Sequence, residues 1–125
     1  MSIAALPQLP QLTFQIVKNG DFRDALQFVQ DATANPAAPI DLTGIAFACT
    51  LRDGAGEPAI AMTSADLLVV DGPNGVLAFA VPLARLKDIP AGSLSGDIVA
   101  TANGMTINLC KDNGPLTFIV RDGLT

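Results

Sequence analysis

The chain has 125 residues, half of them apolar and 15% charged, with a net charge of −5. That length holds one hydrophobic core, and that composition excludes a disordered chain. The seven Lys and Arg form no cluster to neutralise phosphates, no apolar run approaches membrane-spanning length, and His, the commonest metal ligand and general base, is absent along with Trp and Tyr.

Residues 1–12 carry no positive charge and no continuous apolar stretch, so a signal peptide is not expected. Ala4 to Leu12 reads A-A-L-P-Q-L-P-Q-L, and prolines three apart favour an extended, polyproline-like arm. Two readings stand side by side. The arm docks on a neighbouring subunit through Leu6, Pro7, Leu9, Pro10 and Leu12, or it folds back on its own domain. The expected organisation is an arm over residues 1–12 and one β domain over 13–125.

Leu12 to Lys18 alternates and predicts a first strand. Asn19-Gly20 is a strong hairpin signal, so Asp21 to Gln30 is expected to return beside it. Phe22, Leu26 and Phe28 would face the core, and Asp24 and Ala25 break the pattern as a bulge would. Asp31 to Pro39 is a polar loop of small, unreactive residues, expected simply to connect. Pro39-Ile40-Asp41-Leu42-Thr43-Gly44 then makes a stiff corner. Pro39 fixes its own φ and pushes Ala38 towards extended backbone. Asp41 and Thr43 bond nearby backbone, and Gly44 is free to take φ > 0. The corner launches Ile45 to Arg52, with Ile45, Phe47, Cys49 and Leu51 on one face and Ala46, Ala48, Thr50 and Arg52 on the other.

Arg52 to Pro58 turns. Ala59 to Met62 is a short strand, Thr63 to Asp66 breaks it, and Leu67 to Val70 resumes. Asp71-Gly72-Pro73-Asn74-Gly75 is a tight turn into Val76 to Val81, which aligns Leu77, Phe79 and Val81. Leu83, Leu86 and Ile89 stand three apart and predict one helical turn, too short to hold without packing. Ile89-Pro90-Ala91-Gly92 stops it. Ser93 to Ala102 places Leu94, Gly96, Ile98 and Ala100 together. Asn103-Gly104 marks a second hairpin, with Met105, Ile107 and Leu109 inward on the return to Cys110. Lys111 to Pro115 turns, and Leu116 to Arg121 is the last strand.

About eight short strands, one helical turn near 83–89 and no long helix exclude a doubly wound sheet. They predict an all-β, antiparallel sandwich. Its facing sheets would bury Phe14, Ile16, Phe28, Phe47, Leu51, Phe79, Ile98, Ile107 and Phe118 together. Cys49 and Cys110 allow one disulfide, and two reduced, buried thiols are the plainer reading.

The turn motifs also form a set. Gly20-Asp21 is followed by P-I-D-L-T-G (Pro39 to Gly44), R-D-G-A-G (Arg52 to Gly56) and D-G-P-N-G-V (Asp71 to Val76). Then come I-P-A-G (Ile89 to Gly92), Gly96-Asp97, N-G-M-T (Asn103 to Thr106), Gly114 and V-R-D-G-L-T (Val120 to Thr125). After residue 12, nearly the whole chain resembles the immunoglobulin-like domains of tailed-phage structural proteins, of the kind at the N-terminus of the baseplate upper protein. It departs from them after Gly92, where Leu94 and Ser95 stand in place of a frequent aromatic. The resemblance implies an immunoglobulin-like sandwich located in the virion and made in the bacterial host cytoplasm. Its partners would be other copies of itself and other phage structural proteins.

The residues themselves point to no catalytic chemistry. Asp66 with Asp71, and Asp97 with Asp112, are the carboxylate pairs to weigh for glycoside hydrolysis. Nearly every Asp, however, stands beside Gly, Asn or Pro, where a turn accounts for it. The loops 71–75 and 111–114 lack the oxygens that calcium needs. Ser64 and Ser95 have no His partner, the glycines form no phosphate loop, and Arg23, Arg52, Arg85 and Arg121 are dispersed. The expectation is a non-enzymatic tail or baseplate component with no cofactor, metal, nucleic acid or membrane partner. It would assemble through the arm and through an open sheet edge that accepts a strand. Other readings are a head decoration protein and a carbohydrate-binding sandwich, the latter needing an exposed Phe as its platform.

Overall fold

A computed structural model describes residues 6–29 and 39–122. Among them nine strands form: β1 (Thr13–Val17), β2 (Phe22–Gln27), β3 (Ala46–Arg52), β4 (Pro58–Met62), β5 (Leu67–Asp71), β6 (Val76–Val81), β7 (Gly92–Ala102), β8 (Met105–Asn108) and β9 (Leu116–Arg121). One helical turn, α1 (Leu83–Leu86), separates β6 from β7. The larger sheet runs β1-β9-β7-β3-β4, with β8 added beside β7, and the smaller sheet runs β2-β6-β5. Strands three, seven and nine in one layer, facing two, six and five in the other, make an immunoglobulin-like β-sandwich.

The corner before β3 forms as its residues dictate. The Thr43 N–H donates to Asp41 Oδ1 at 2.9 Å, and Gly44 takes φ +82°. The Thr43 hydroxyl and N–H hold the exposed Asp41 carboxyl below its ordinary pKa. In β3, Phe47, Cys49 and Leu51 are buried while Ala46 and Arg52 are exposed, as period-two alternation requires. β7 continues the pattern with Leu94, Gly96, Ile98 and Ala100 inward. Gly96 makes room there for its neighbours on β3, because a Cβ would lie 2.6 Å from Leu51 Cδ2 and 2.9 Å from Cys49 Sγ and both side chains would have to shift.

All six phenylalanines are buried between the sheets. Phe14 stacks on Phe118 at 5.1 Å and meets Phe79 edge-on at 5.2 Å, while Phe28 packs on Phe47 at 5.8 Å. Each such ring contributes roughly 1.5–3 kcal/mol by leaving water. Ile107, expected among them, is only half-buried at the margin.

Several local expectations are corrected. Asn19-Gly20 is not a hairpin: β1 pairs with β9 and β2 with β6, so the chain crosses between sheets there. Gly20 does not adopt positive φ, and Phe14 and Phe22 meet across the core at 6.4 Å from opposite layers. Pairing across the core thus overrides the local turn signal. β1 and β9 run parallel, the one parallel pair among the described strands. No tight turn is needed, because the whole intervening domain serves as the crossover. No bulge occurs at Asp24, since the β2–β6 register is unbroken from Phe22↔Val81 to Gln27↔Val76. Instead Asp24 shares the inward parity of Phe22 and Leu26 at an open edge, where it stays exposed. Thr63 to Asp66 does more than interrupt a strand, because it carries the chain from the larger sheet to the smaller. Met105 is 52% exposed at the hairpin tip, beyond the cover of the facing sheet. The Asn103-Gly104 hairpin does form, with φ +53° and +78°. The connecting loop expected over Asp31 to Pro39 lies outside the described residues up to position 38.

Three edge strands, β4, β2 and β5, are blunted. β4 begins with Pro58, and Arg85 Nη2 donates to the carbonyl of its Ala61 at 2.7 Å. In β2 the N–H of Ala25 donates to Asp24 Oδ1 at 2.8 Å. The register of β5 shifts between Val69 and Asp71. Each device occupies or displaces a backbone group that an added strand would need. Asp66 anchors one of them: it is 3% exposed, accepts from Thr63 N–H at 3.1 Å and pairs with the Arg85 guanidinium.

Candidate functional site

The stretch proposed as an interface arm lies on its own domain. Leu6 and Leu9 are buried in the chain's own core cluster. The Leu9 N–H donates to Leu109 O at 2.8 Å, Asn113 Nδ2 donates to Leu9 O at 2.9 Å, and the Asp112 N–H donates to Gln8 Oε1 at 2.9 Å. Residues 6–12 thus lie against the sandwich, as in the second of the two readings of the arm. These bonds tie the segment to the turn after β8. Pro10 is exposed, and Pro7 and Leu12 are half-buried. Together with Leu26 and Phe28 they line an apolar groove of about 340 Å³.

Two of the turn motifs meet. The Leu42 N–H donates to Gly72 O, and the Phe28 N–H to Gly75 O, both at 2.8 Å. The Ile40 N–H then donates to Phe28 O at 2.9 Å. Gly75 sits in this knot with φ +72°, where a Cβ would lie 2.6 Å from the carbonyl oxygens of both Ile40 and Phe28. P-I-D-L-T-G and D-G-P-N-G thus form one corner of the sandwich.

The outer face of the larger sheet holds a hollow of about 540 Å³ with a mixed lining, Thr50, Arg52, Ser95, Asp97 and Asn108 beside Ala48 and Val99. Asn108 Nδ2 donates to Asp97 Oδ2 at 3.0 Å, and Asn108 Oδ1 accepts from the Cys110 N–H at 2.8 Å. Cys49 borders the hollow and Cys110 is close by. Both are free thiols. Burial above all, with Cys110 and Asp97 adding to it, pushes Cys49 up to about 12. Burial raises Cys110 as well. At neutral pH both are protonated and therefore poor nucleophiles.

Three of the four carboxylates considered for catalysis, those of Asp66, Asp71 and Asp97, hold local partners. Asp66 is held by Arg85 and Thr63, and Asp71 accepts from Asn74 Nδ2 at 2.8 Å. Asp97 is held by Asn108. Asp53 likewise closes its own turn, accepting from the N–H groups of Ala55 and Glu57. Among the described residues no three His, Cys, Asp or Glu side chains converge as metal ligands.

The outer face of the smaller sheet was not anticipated. Its outward positions are Arg23, Ala25 and Gln27 on β2, Val76, Ala78 and Ala80 on β6, and Leu68 and Val70 on β5. Leu68 is 40% and Val70 58% exposed. The signal lies in two runs, L-L-V-V (67–70) and V-L-A-F-A-V (76–81), which are apolar at both parities where a solvated face would alternate.

No family model and no curated protein matches the chain. Among solved structures it is similar to that of CopC from Methylosinus trichosporium OB3b, at 11% identity and a TM-score of 0.45, over 94% of this chain and 89% of that one. So slight a likeness transfers nothing from that protein to this one.

Proposed function

We propose that the chain is a non-enzymatic bacteriophage virion protein, a tail or baseplate component that acts through protein–protein interfaces. The observation that carries this reading is the knot joining Pro39–Gly44 to Asp71–Gly75. These are two of the motifs on which the phage-domain resemblance rests, and they belong to a single corner rather than to unrelated turns. The engaged carboxylates and the apolar outer face of the smaller sheet favour a surface role over chemistry. A carbohydrate-binding role is disfavoured, because every aromatic ring of the chain is buried in the core. The partners are other copies of the chain and other phage structural proteins.

Immunogold labelling tests this on phage particles recovered from a host that expresses the chain. Label at the tail or baseplate is the expected result. Label on the head would make the chain a decoration protein, and particles without label would refute the virion assignment.

A further inference from the structure

We propose that the outer face of β2, β6 and β5 is a self-association surface, on which a second copy of the chain packs face to face about a two-fold axis along β6. The inference rests on the interface-based reading above and names the surface and its occupant.

Register supplies the argument. Ala78 on β6 pairs with Ala25 on β2 and with Leu68 on β5, so the three stand on one level across the sheet. A two-fold rotation along the central strand keeps every level and exchanges β2 for β5. Leu68 of each copy then lies over Ala25 of the other, and Ala78 faces Ala78. A large side chain enters the space above a small one twice, which is the self-complementarity an isologous contact needs. Charge agrees. The chain carries −5 overall, yet this face holds one cation, Arg23, and one anion, Asp71, at opposite corners. The blunted edges of β2 and β5 disfavour strand addition and leave the face as the route to contact.

Size sets the strength. Three strands spaced ~4.8 Å and six residues rising ~3.3 Å each give a footprint of about 280 Å². A standard interface buries about 800 Å² per partner, so this contact is weak and reversible in solution. It becomes effective where copies are held together in an assembly, at effective concentrations on the order of millimolar.

The test is sedimentation equilibrium of the purified chain up to about 1 mM, where a contact of this size is populated. The expected result is a concentration-dependent dimer. Leu68→Glu with Val70→Glu weakens it at least about tenfold. Met105→Glu adds one charge at an exposed site on the larger sheet and leaves the dimer unchanged. Ala78→Cys, treated with a short bis-maleimide, gives a covalently linked dimer, because the two-fold axis sets the two copies of that position opposite each other across sheets ~10 Å apart, too far for a disulfide but within the linker's reach, while the native thiols are buried. Should the double Glu variant fail to fold, the Ala78→Cys cross-link decides. A chain monomeric throughout, equal weakening by Met105→Glu, or no cross-link would each overturn the proposal. Labelled particles together with a monomeric chain would sink this surface alone. Unlabelled particles together with the dimer would sink the virion role alone.

Discussion

Replacing Gly75 with Ala tests the corner where the chain's distant turn motifs meet. A left-handed φ of +72° costs an L residue roughly 1–2 kcal/mol. The new Cβ would also stand 2.6 Å from two carbonyl oxygens, those of Phe28 and Ile40. Relief requires moving the Phe28-to-Gly75 and Ile40-to-Phe28 backbone hydrogen bonds, each worth about 1 kcal/mol net. The sum is about 3–4 kcal/mol, a large part of the ~5–15 kcal/mol that holds a domain folded. Two glycines serve as references. Gly56 has φ +83° with open space around it, so Gly56→Ala carries the conformational cost alone, roughly 1–2 kcal/mol. Gly20 has open space and no positive φ, so Gly20→Ala is neutral or slightly stabilising. The chain lacks Trp and Tyr, so urea unfolding is followed by far-UV circular dichroism. If Gly75→Ala fell within about 0.5 kcal/mol of Gly56→Ala, the contact geometry of the knot would be refuted.

The clasp around Asp66 gives a second expectation. Arg85→Leu leaves a buried carboxylate with Thr63 as its remaining partner and costs about 2–3 kcal/mol, discounted for the 39% exposure of Arg85. Combined with Asp66→Asn, it should show a coupling of about 1–2 kcal/mol in a double-mutant cycle, and additivity would mean the pair does not act as a unit. Leu9→Ala should cost about 2–3 kcal/mol in the same urea assay, because Leu9 is 6% exposed within its own domain; no loss would show the segment to be detached. Cys49 sets an alkaline limit. Its folded pKa of about 12 lies above that of an unfolded thiol, so its contribution is full below about pH 8.5 and lost as pH rises towards 12. Stability should fall by about 2 kcal/mol per 1.5 pH units in that window, and Cys49→Ala should flatten the slope. An unchanged slope would place the thiol in water.

β3, β6 and β7 were legible because each buries one face against the other layer, so period-two alternation is enforced along its length. The Pro39–Gly44 corner was legible because its chemistry is local. The two Asn-Gly pairs mark the limit of such reasoning. Asn103-Gly104 takes two positive φ values and stays in one sheet, whereas Asn19-Gly20 hands the chain to the other. Nothing within the dipeptide encodes that difference. It depends on Phe22 meeting Phe79 and Phe118 from the smaller sheet. Asp24 poses a similar problem: an inward charge looks like a register break unless the strand is an edge, as β2 is. The apolar outer face is hard to read from the chain, because runs apolar at both parities, as at 67–70 and 76–81, fit a strand buried on both faces as well as one left open.

The parallel pairing of β1 with β9 joins the first strand to the last. During synthesis β1 leaves the ribosome early and has no backbone partner until β9 follows. The Phe14 ring waits just as long for Phe118, on which it stacks. Closure of the larger sheet is therefore a late, non-local event, and the nascent chain carries an unpaired strand until β9 emerges. Truncation within β9 would remove the seam that holds β1 in place, a far greater loss than six residues of length suggest.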